Sequence, residues 1–354
     1  MWMLIAGGVG VLSWWITGLL VTRASFLRSI DHPNDRSLHV EPTPRSGGVA
    51  ILASVMIGLV VATIGFSVIP HPMEFLPQGL ASASYWIVGS LALVTTVSFL
   101  DDRAGLPVGI RLAVQTLAAV IVVWGVGLTL YSFPIPAIKT VELGWFAVPV
   151  SVLFLLWMTN LYNFMDGMDG FAGGMTTLGF GFLAYFGWKA GHSFMLLTTT
   201  VVAMTALGFL FHNFPPARIF MGDVGSIPLG FMSGTLMLLG LRDGLFDFWV
   251  PILIFSPFIL DATVTVFRRA WQRQRIWEAH REHYYQRLVL SGWSHRQAVL
   301  AEYAIMALCG GLAVLYQEVS EEWRLVILGA WGMLFLSLAF AVNGIEKRIQ
   351  PVAS

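Results

Sequence analysis

The chain is predicted to be an all-α, polytopic integral membrane protein, on three observations. Hydrophobic residues make up 56% of it and charged residues 11%, against the roughly half apolar, quarter charged mixture of soluble domains. Apolar stretches near the ~20 residues needed to cross a hydrocarbon core recur along its whole length. Lysine and arginine gather in every second loop between those stretches.

Eleven transmembrane helices are expected, running approximately from Met1 to Val21, Gly47 to Ile69, Ser82 to Leu100, Val108 to Leu130, Trp145 to Asn160, Gly170 to Trp188, Ser193 to Phe211, Val224 to Leu241, Phe246 to Phe267, Gln297 to Leu315 and Arg324 to Ile345. With this count, 16 of the 20 basic residues fall on one side and only Lys139, Lys189, Arg242 and Arg324 on the other. One missed or invented helix would scramble that alternation, and the positive-inside rule makes the rich side cytoplasmic. The first span has no basic residue before it and Arg23 and Arg28 after it, so it is expected to enter as an uncleaved anchor, N-terminus outside. The C-terminus is then cytoplasmic. The single Cys309 lies inside the tenth span, so no internal disulfide can form. No linker or repeat divides the chain, and one polytopic domain, 1–354, is expected.

Five cytoplasmic segments carry chemistry. The first contains Arg36 and His39, then Pro42-Thr-Pro-Arg45-Ser-Gly-Gly. Prolines fix its backbone, and its cations, Arg45 included, suit an anionic group; it also reads as an ordinary positive-inside loop. The third span ends in Phe99-Leu-Asp101-Asp102. Adjacent acids repel, and a divalent cation, a proton, Arg103 or Arg111 can relieve them.

The stretch Asn160-Leu-Tyr-Asn163-Phe-Met-Asp166-Gly-Met-Asp169-Gly holds four oxygen-bearing side chains spaced by three. On a helix they keep near one face, and the Asp-Gly pairs suggest that the helix unwinds there. Polar groups at this depth are costly unless used, and these oxygens suit a hard cation with a phosphate-bearing ligand. In Phe220-Met-Gly222-Asp223-Val-Gly-Ser226, Asp223 opens a span between glycines, as a cation ligand or an N-cap, and Phe220 either stacks on a base or faces lipid. Last come Asp261, expected to pair with an arginine of the adjoining loop, and His280-Arg281-Glu-His283-Tyr-Tyr-Gln-Arg287. These basic groups suit a pyrophosphate, or an amphipathic helix lying on anionic lipid.

In order and on one side, these five motifs resemble those of the polyprenyl-phosphate N-acetylhexosamine-1-phosphate transferases. The resemblance implies a membrane enzyme that moves a sugar 1-phosphate from a UDP-N-acetylamino sugar to undecaprenyl phosphate, releasing UMP, with magnesium as cofactor and manganese as a substitute. It implies Asp223 as principal metal ligand with Asn163 or Asn160 near the metal, Asp169 on the uracil and Phe220 stacked on the base. Asp101 and Asp102 would line the acceptor phosphate, and Arg111, where relatives often have lysine, would touch phosphate. His280, Arg281 and His283 would hold the pyrophosphate or sugar. That last loop lacks the dense histidine cluster of the branch acting on muramoyl-pentapeptide. It is closer to bacterial enzymes that begin O-antigen or related polysaccharides in the inner membrane, with the site facing the cytoplasm. A homodimer and no nucleic-acid partner are expected. The rival class is a transporter or flippase for an anionic lipid or nucleotide sugar, whose site would lie near the bilayer midplane.

Overall fold

The computed structural model describes residues 2–22, 29–31, 33, 38, 41–68, 80–275 and 280–349; Arg23, Arg28, Arg36 and His39 lie outside them. The helices are α1 (Trp2–Thr22), α2 (Gly47–Val68), α3 (Leu80–Ala104), α4 (Val108–Gly125), α5 (Ala147–Phe164), α6 (Phe171–Lys189), α7 (Ser193–Asn213), α8 (Asp223–Arg242), α9 (Trp249–Ile254), α10 (Ser256–Trp271), α11 (Tyr284–Leu290), α12 (His295–Glu318) and α13 (Glu321–Ile349). Strand appears only as two short antiparallel pairs, β1 (Ile30–Asp31) with β2 (Thr43–Pro44) and β3 (Ser132–Ile135) with β4 (Lys139–Glu142), among the described residues. The protein is a multi-pass, all-α membrane protein.

Nine of these helices are long and apolar enough to cross a bilayer: α1 to α5, α7, α8, α12 and α13. The sixth expected span is α6, whose glycines and threonines dilute its hydropathy over 19 residues. The ninth departs from expectation: it is two pieces, α9 and α10, broken at Phe255. Pro257 accounts for the break, since proline lacks an N–H and crowds the preceding turn and here stands in the first turn of α10.

α8 is the hub, with 94% of its apolar window buried, whereas α13 buries 11% and leaves Phe340 and Leu336 facing outward. Lipid is as apolar as leucine, so helix association in a membrane relies on close packing through small residues. α8 shows this: a Cβ at Gly230 would lie 2.6 Å from the Met158 carbonyl oxygen of α5. Because successive helices run up and down, all five motif segments collect at one end of the bundle, around the N-terminus of α8.

Candidate active site

Backbone pairing joins the first and fourth motifs. The Phe220 N–H donates to the Pro44 carbonyl at 2.7 Å, and Gly47 and Gly48 donate to the carbonyls of Phe220 and Met221 at 2.9 and 2.8 Å. The start of α2 therefore lies directly against the start of α8, and a Cβ on Gly48 would sit 2.3 Å from Gly225 Cα. Gly222 enters α8 with φ 74° and ψ 173°, a conformation open only to glycine.

Against this platform the carboxylates assemble. Asp102 accepts from the Val224 N–H at 2.9 Å through Oδ2, a helix-terminus bond that satisfies one orphan donor of α8. Its Oδ1 is buried with no hydrogen-bond partner, and Arg45 Nε lies 3.6 Å away. Arg45 also donates to the Asp102 carbonyl at 2.6 Å. Asp101 is fully engaged, taking the Leu106 N–H on one oxygen and Arg111 on the other, each at 2.6 Å. The same Arg111 nitrogen stands 3.6 Å from Asp223 Oδ2, while Asn163 donates to Asp223 Oδ1 at 2.9 Å and to Ser226 at 3.1 Å. Arg111 at Asp101 and Arg45 at Asp102 are thus the cations that relieve the pair; Arg103 lies over the Phe99 ring. Asp166 completes the cluster. Burial, then the charges of Asp223 and Asp102, hold its carboxyl well above the usual range.

Beyond Asp166 the chain turns back through Gly170, at φ 74°. Asp169 accepts from the Ala217 N–H at 3.0 Å and lies 3.2 Å from His295 Nδ1. Asn213 ties this turn to the Phe220 loop, accepting from the Gly170 N–H at 3.0 Å and donating to the Ile219 carbonyl at 2.8 Å. Phe220 itself is half-buried beside that junction.

The histidine segment is built around Asp261 of α10. Its carboxylate accepts the Tyr284 and Tyr285 N–H groups at 2.9 and 3.2 Å, capping α11, and contacts His283 Nδ1 at 3.1 Å. The expected arginine pairing of Asp261 is therefore replaced by the α11 N-terminus. The arginines of the α10 end, Arg268 and Arg269, go to Glu282. The His280 ring lies tilted against that of His283, centroids 4.8 Å apart. Burial, followed by the charges of His283, Arg269 and Arg268, pushes its pKa down to about 4, so His280 is neutral at pH 7, with Nδ1 accepting the Glu282 N–H at 3.3 Å. Arg281 lies half-buried beside it. Arg287 turns away to α13, bonding Asn343 at 2.6 Å and Glu346.

A probable undecaprenyl-phosphate N-acetylglucosaminyl 1-phosphate transferase of Bacillus subtilis (strain 168) is 31% identical over 340 residues, which span 95% of this chain and 90% of that protein. The chain belongs to glycosyl transferase family 4. The family's own profile matches residues 84–241, from α3 through α8, which holds every carboxylate of the cluster; Arg45 and the His280 segment lie outside it. Further relatives are a decaprenyl-phosphate N-acetylglucosaminephosphotransferase of Mycobacterium leprae (strain TN), 30% identical over 83% of this chain and 78% of that protein. A phospho-N-acetylmuramoyl-pentapeptide-transferase of Synechococcus sp. (strain JA-3-3Ab) is 31% identical over 76% and 78%. As a family 4 member, the protein is a membrane transferase with that family's phosphotransferase activity.

Not every family-motif residue reaches the cluster. Asn160 donates to Gln115 of α4 at 2.9 Å and to its own helix at 2.8 Å, nearly a turn deeper than Asn163. Among the described residues no three of His, Cys, Asp and Glu form a closed metal cage. An open half-site still fits a hard cation: magnesium takes one or two carboxylates and completes its shell with water and substrate phosphates. Asp223, whose Oδ2 lies 3.6 Å from Arg111, and the Asn163 amide bonded to its Oδ1 at 2.9 Å supply one carboxylate and one amide for such a half-site. Sequence reasoning missed Gln115, Asn213, His295 and Tyr303. Asn213 carried a signal, a polar residue at the end of a span; the others did not.

Proposed function

We propose that this protein transfers an N-acetylamino-sugar 1-phosphate from a UDP-sugar to undecaprenyl phosphate, releasing UMP. We place this at the cytoplasmic face of a bacterial inner membrane, as the first membrane step of O-antigen, lipopolysaccharide or a related envelope polysaccharide. One observation carries the reading. Arg111, bridging Asp101 and Asp223, stands at the mouth of an apolar groove of ≈ 720 Å³ walled by Val108, Leu112, Leu156, Trp157 and Val266, with Asn163 at the same mouth. A phosphate held at that arginine has a hydrocarbon-lined path for its prenyl chain.

Phosphoryl transfer needs positioning and charge neutralisation more than covalent help. An acceptor phosphate oxygen attacks the β-phosphorus of the donor, and the bond to UMP breaks in line. Arg111 orients the acceptor, held in aim by Asp101. Asp102, whose Oδ1 is free, takes any residual proton; a phosphomonoester with a second pKa near ~6 is already mostly ionised at neutral pH. Asp169 accepts from the uracil, Phe220 stacks on it, and His280, Arg281 and His283 border the sugar side. Asp223 and Asn163 would hold magnesium, which when bound would neutralise the pyrophosphate oxygens and ease departure of UMP. UDP-N-acetylglucosamine is the first donor to test, because relatives carry that sugar in their names.

The test is UMP release by purified protein with undecaprenyl phosphate and a panel of UDP-N-acetylamino sugars, with magnesium, manganese or chelator. Lipid-dependent, metal-dependent release with one donor is expected, falling ~10²–10³-fold in a folded Asp223→Asn variant, the loss typical when a main electrostatic stabiliser is removed. No release with any donor from folded protein would overturn the proposal.

A further inference from the structure

We propose that His295 and Tyr303 of α12, a helix outside the segment that defines the family, are positioning residues for the nucleotide end of the donor. Both reach the Asp166–Gly170 turn. His295 Nδ1 lies 3.2 Å from Asp169 Oδ1, and both side chains are largely buried, at 19% and 11% exposure. Tyr303 Oη donates to the Gly170 carbonyl at 2.7 Å. Its ring fills a notch on α6 where a Cβ at Gly174 would come within 1.9 Å of Tyr303 Cε1.

His295 is the first residue of α12, and that turn is fixed: Ser294 and Gln297 form a reciprocal capping box. The imidazole is therefore held by a rigid helix start, not by a free loop. Asp169 accepts the Ala217 N–H on Oδ2, and His295 Nδ1 stands 3.2 Å from its Oδ1, one contact on each oxygen. A carboxylate held from both sides has a set plane, and each oxygen keeps a lone pair to accept a ligand N–H. Remove His295 and the group pivots on the single Ala217 bond. Tyr303 fixes the height of the same turn from its other end, since Gly170 is the residue that reverses the chain.

This inference rests on Asp169 meeting the uracil, and the experiment separates the two. Full-length His295→Ala, His295→Asn, Tyr303→Phe, Asp169→Asn and the Asp169→Asn/His295→Ala double variant are compared for UDP affinity by calorimetry and for KM of the UDP-sugar and of the lipid. His295→Ala is expected to weaken UDP binding and raise donor KM about tenfold, the size of effect carried by one contact to a charged group. Lipid KM and kcat should move by less than about threefold. His295→Asn, which can still donate, should recover part of the loss, Tyr303→Phe should show the same donor-only pattern more weakly, and His295→Ala should add little on top of Asp169→Asn. Unchanged UDP affinity in His295→Ala beside a weakened Asp169→Asn would sink the positioning role and leave Asp169 standing. Parallel losses in both KM values and kcat would mean that α12 is merely structural. Unchanged UDP affinity in Asp169→Asn would remove both claims.

Discussion

Gly222→Ala tests whether the join between the first motif and the start of α8 sets the geometry of the carboxylates. Two costs fall on the same methyl. The backbone there, φ 74° and ψ 173°, belongs to a region reserved for glycine, and holding alanine in it costs about 1–3 kcal/mol. The added Cβ would also lie 2.3 Å from the Arg45 carbonyl oxygen and 3.2 Å from Asp102 Oδ2. A carbonyl is backbone and cannot swing aside, so the two segments must part by about 1 Å to reach ordinary van der Waals distance. That movement displaces Arg45, Asp102 and the Val224 N–H together, and misplacement of reacting groups by about 1 Å is worth about 10²-fold in rate. The expected result is UMP release down about 100-fold with a modest fall in the unfolding temperature of the detergent-solubilised protein. Gly7→Ala in α1, where a Cβ meets nothing within 4 Å, is the control. If Gly222→Ala turns over at the wild-type rate, the close contact of the two segments does not govern the site.

Other consequences are sharper in comparison than alone. Asn163→Ala should cost about 10²-fold or more in transfer, because it leaves Asp223 Oδ1 without its partner, whereas Asn160→Ala, which loses only Gln115 and a helix carbonyl, should stay within about tenfold; steady-state rates at saturating donor decide it. His280, with a folded pKa of about 4 against about 6.5 unfolded, binds its proton less readily when folded. Stability is therefore complete above about pH 6.5 and declines as pH falls toward 4, and His280→Gln should flatten that decline in a melting-temperature profile. Arg287→Ala should lower stability by about 1–2 kcal/mol, less than a fully buried ion pair because Glu346 is partly exposed. Donor KM should hold within about twofold, and a large KM change would return Arg287 to the ligand.

The fold was legible because a bilayer imposes a single rule, that backbone polar groups be satisfied within each crossing segment. Length and apolarity then mark each span, and arginines mark alternate ends. The rule weakened where a span does more than cross. α6 is diluted by glycines that admit Tyr303 and the Phe255 ring. The ninth expected span carries Pro257 and Asp261, and it becomes a short α9 followed by α10, whose Asp261 faces α11. Apolarity alone marked neither the break at Phe255 nor the way Asp261 of the second piece would cap a helix starting more than twenty residues later.

The site was legible in residue type and illegible in partnership, and helix geometry says why. Adjacent acids on α3 point about 100° apart, so Asp101 and Asp102 do not share one neighbour: the first faces Arg111 of α4 and the second the N-terminus of α8. Their repulsion is relieved by divergence as well as by two different cations, Arg111 at Asp101 and Arg45 at Asp102, and Asp102 keeps one oxygen without a hydrogen-bond partner. The same reasoning splits the asparagines. Three residues along α5 keep Asn160 and Asn163 within about 60° of one face but separate them by about 4.5 Å in depth, enough to hand one to Gln115 and the other to Asp223. Spacing in a sequence thus selects a face and a depth. What stands at that depth is decided by helices whose partner residues lie 45 and 60 positions away in the chain, and here it divides one motif between Gln115 and Asp223.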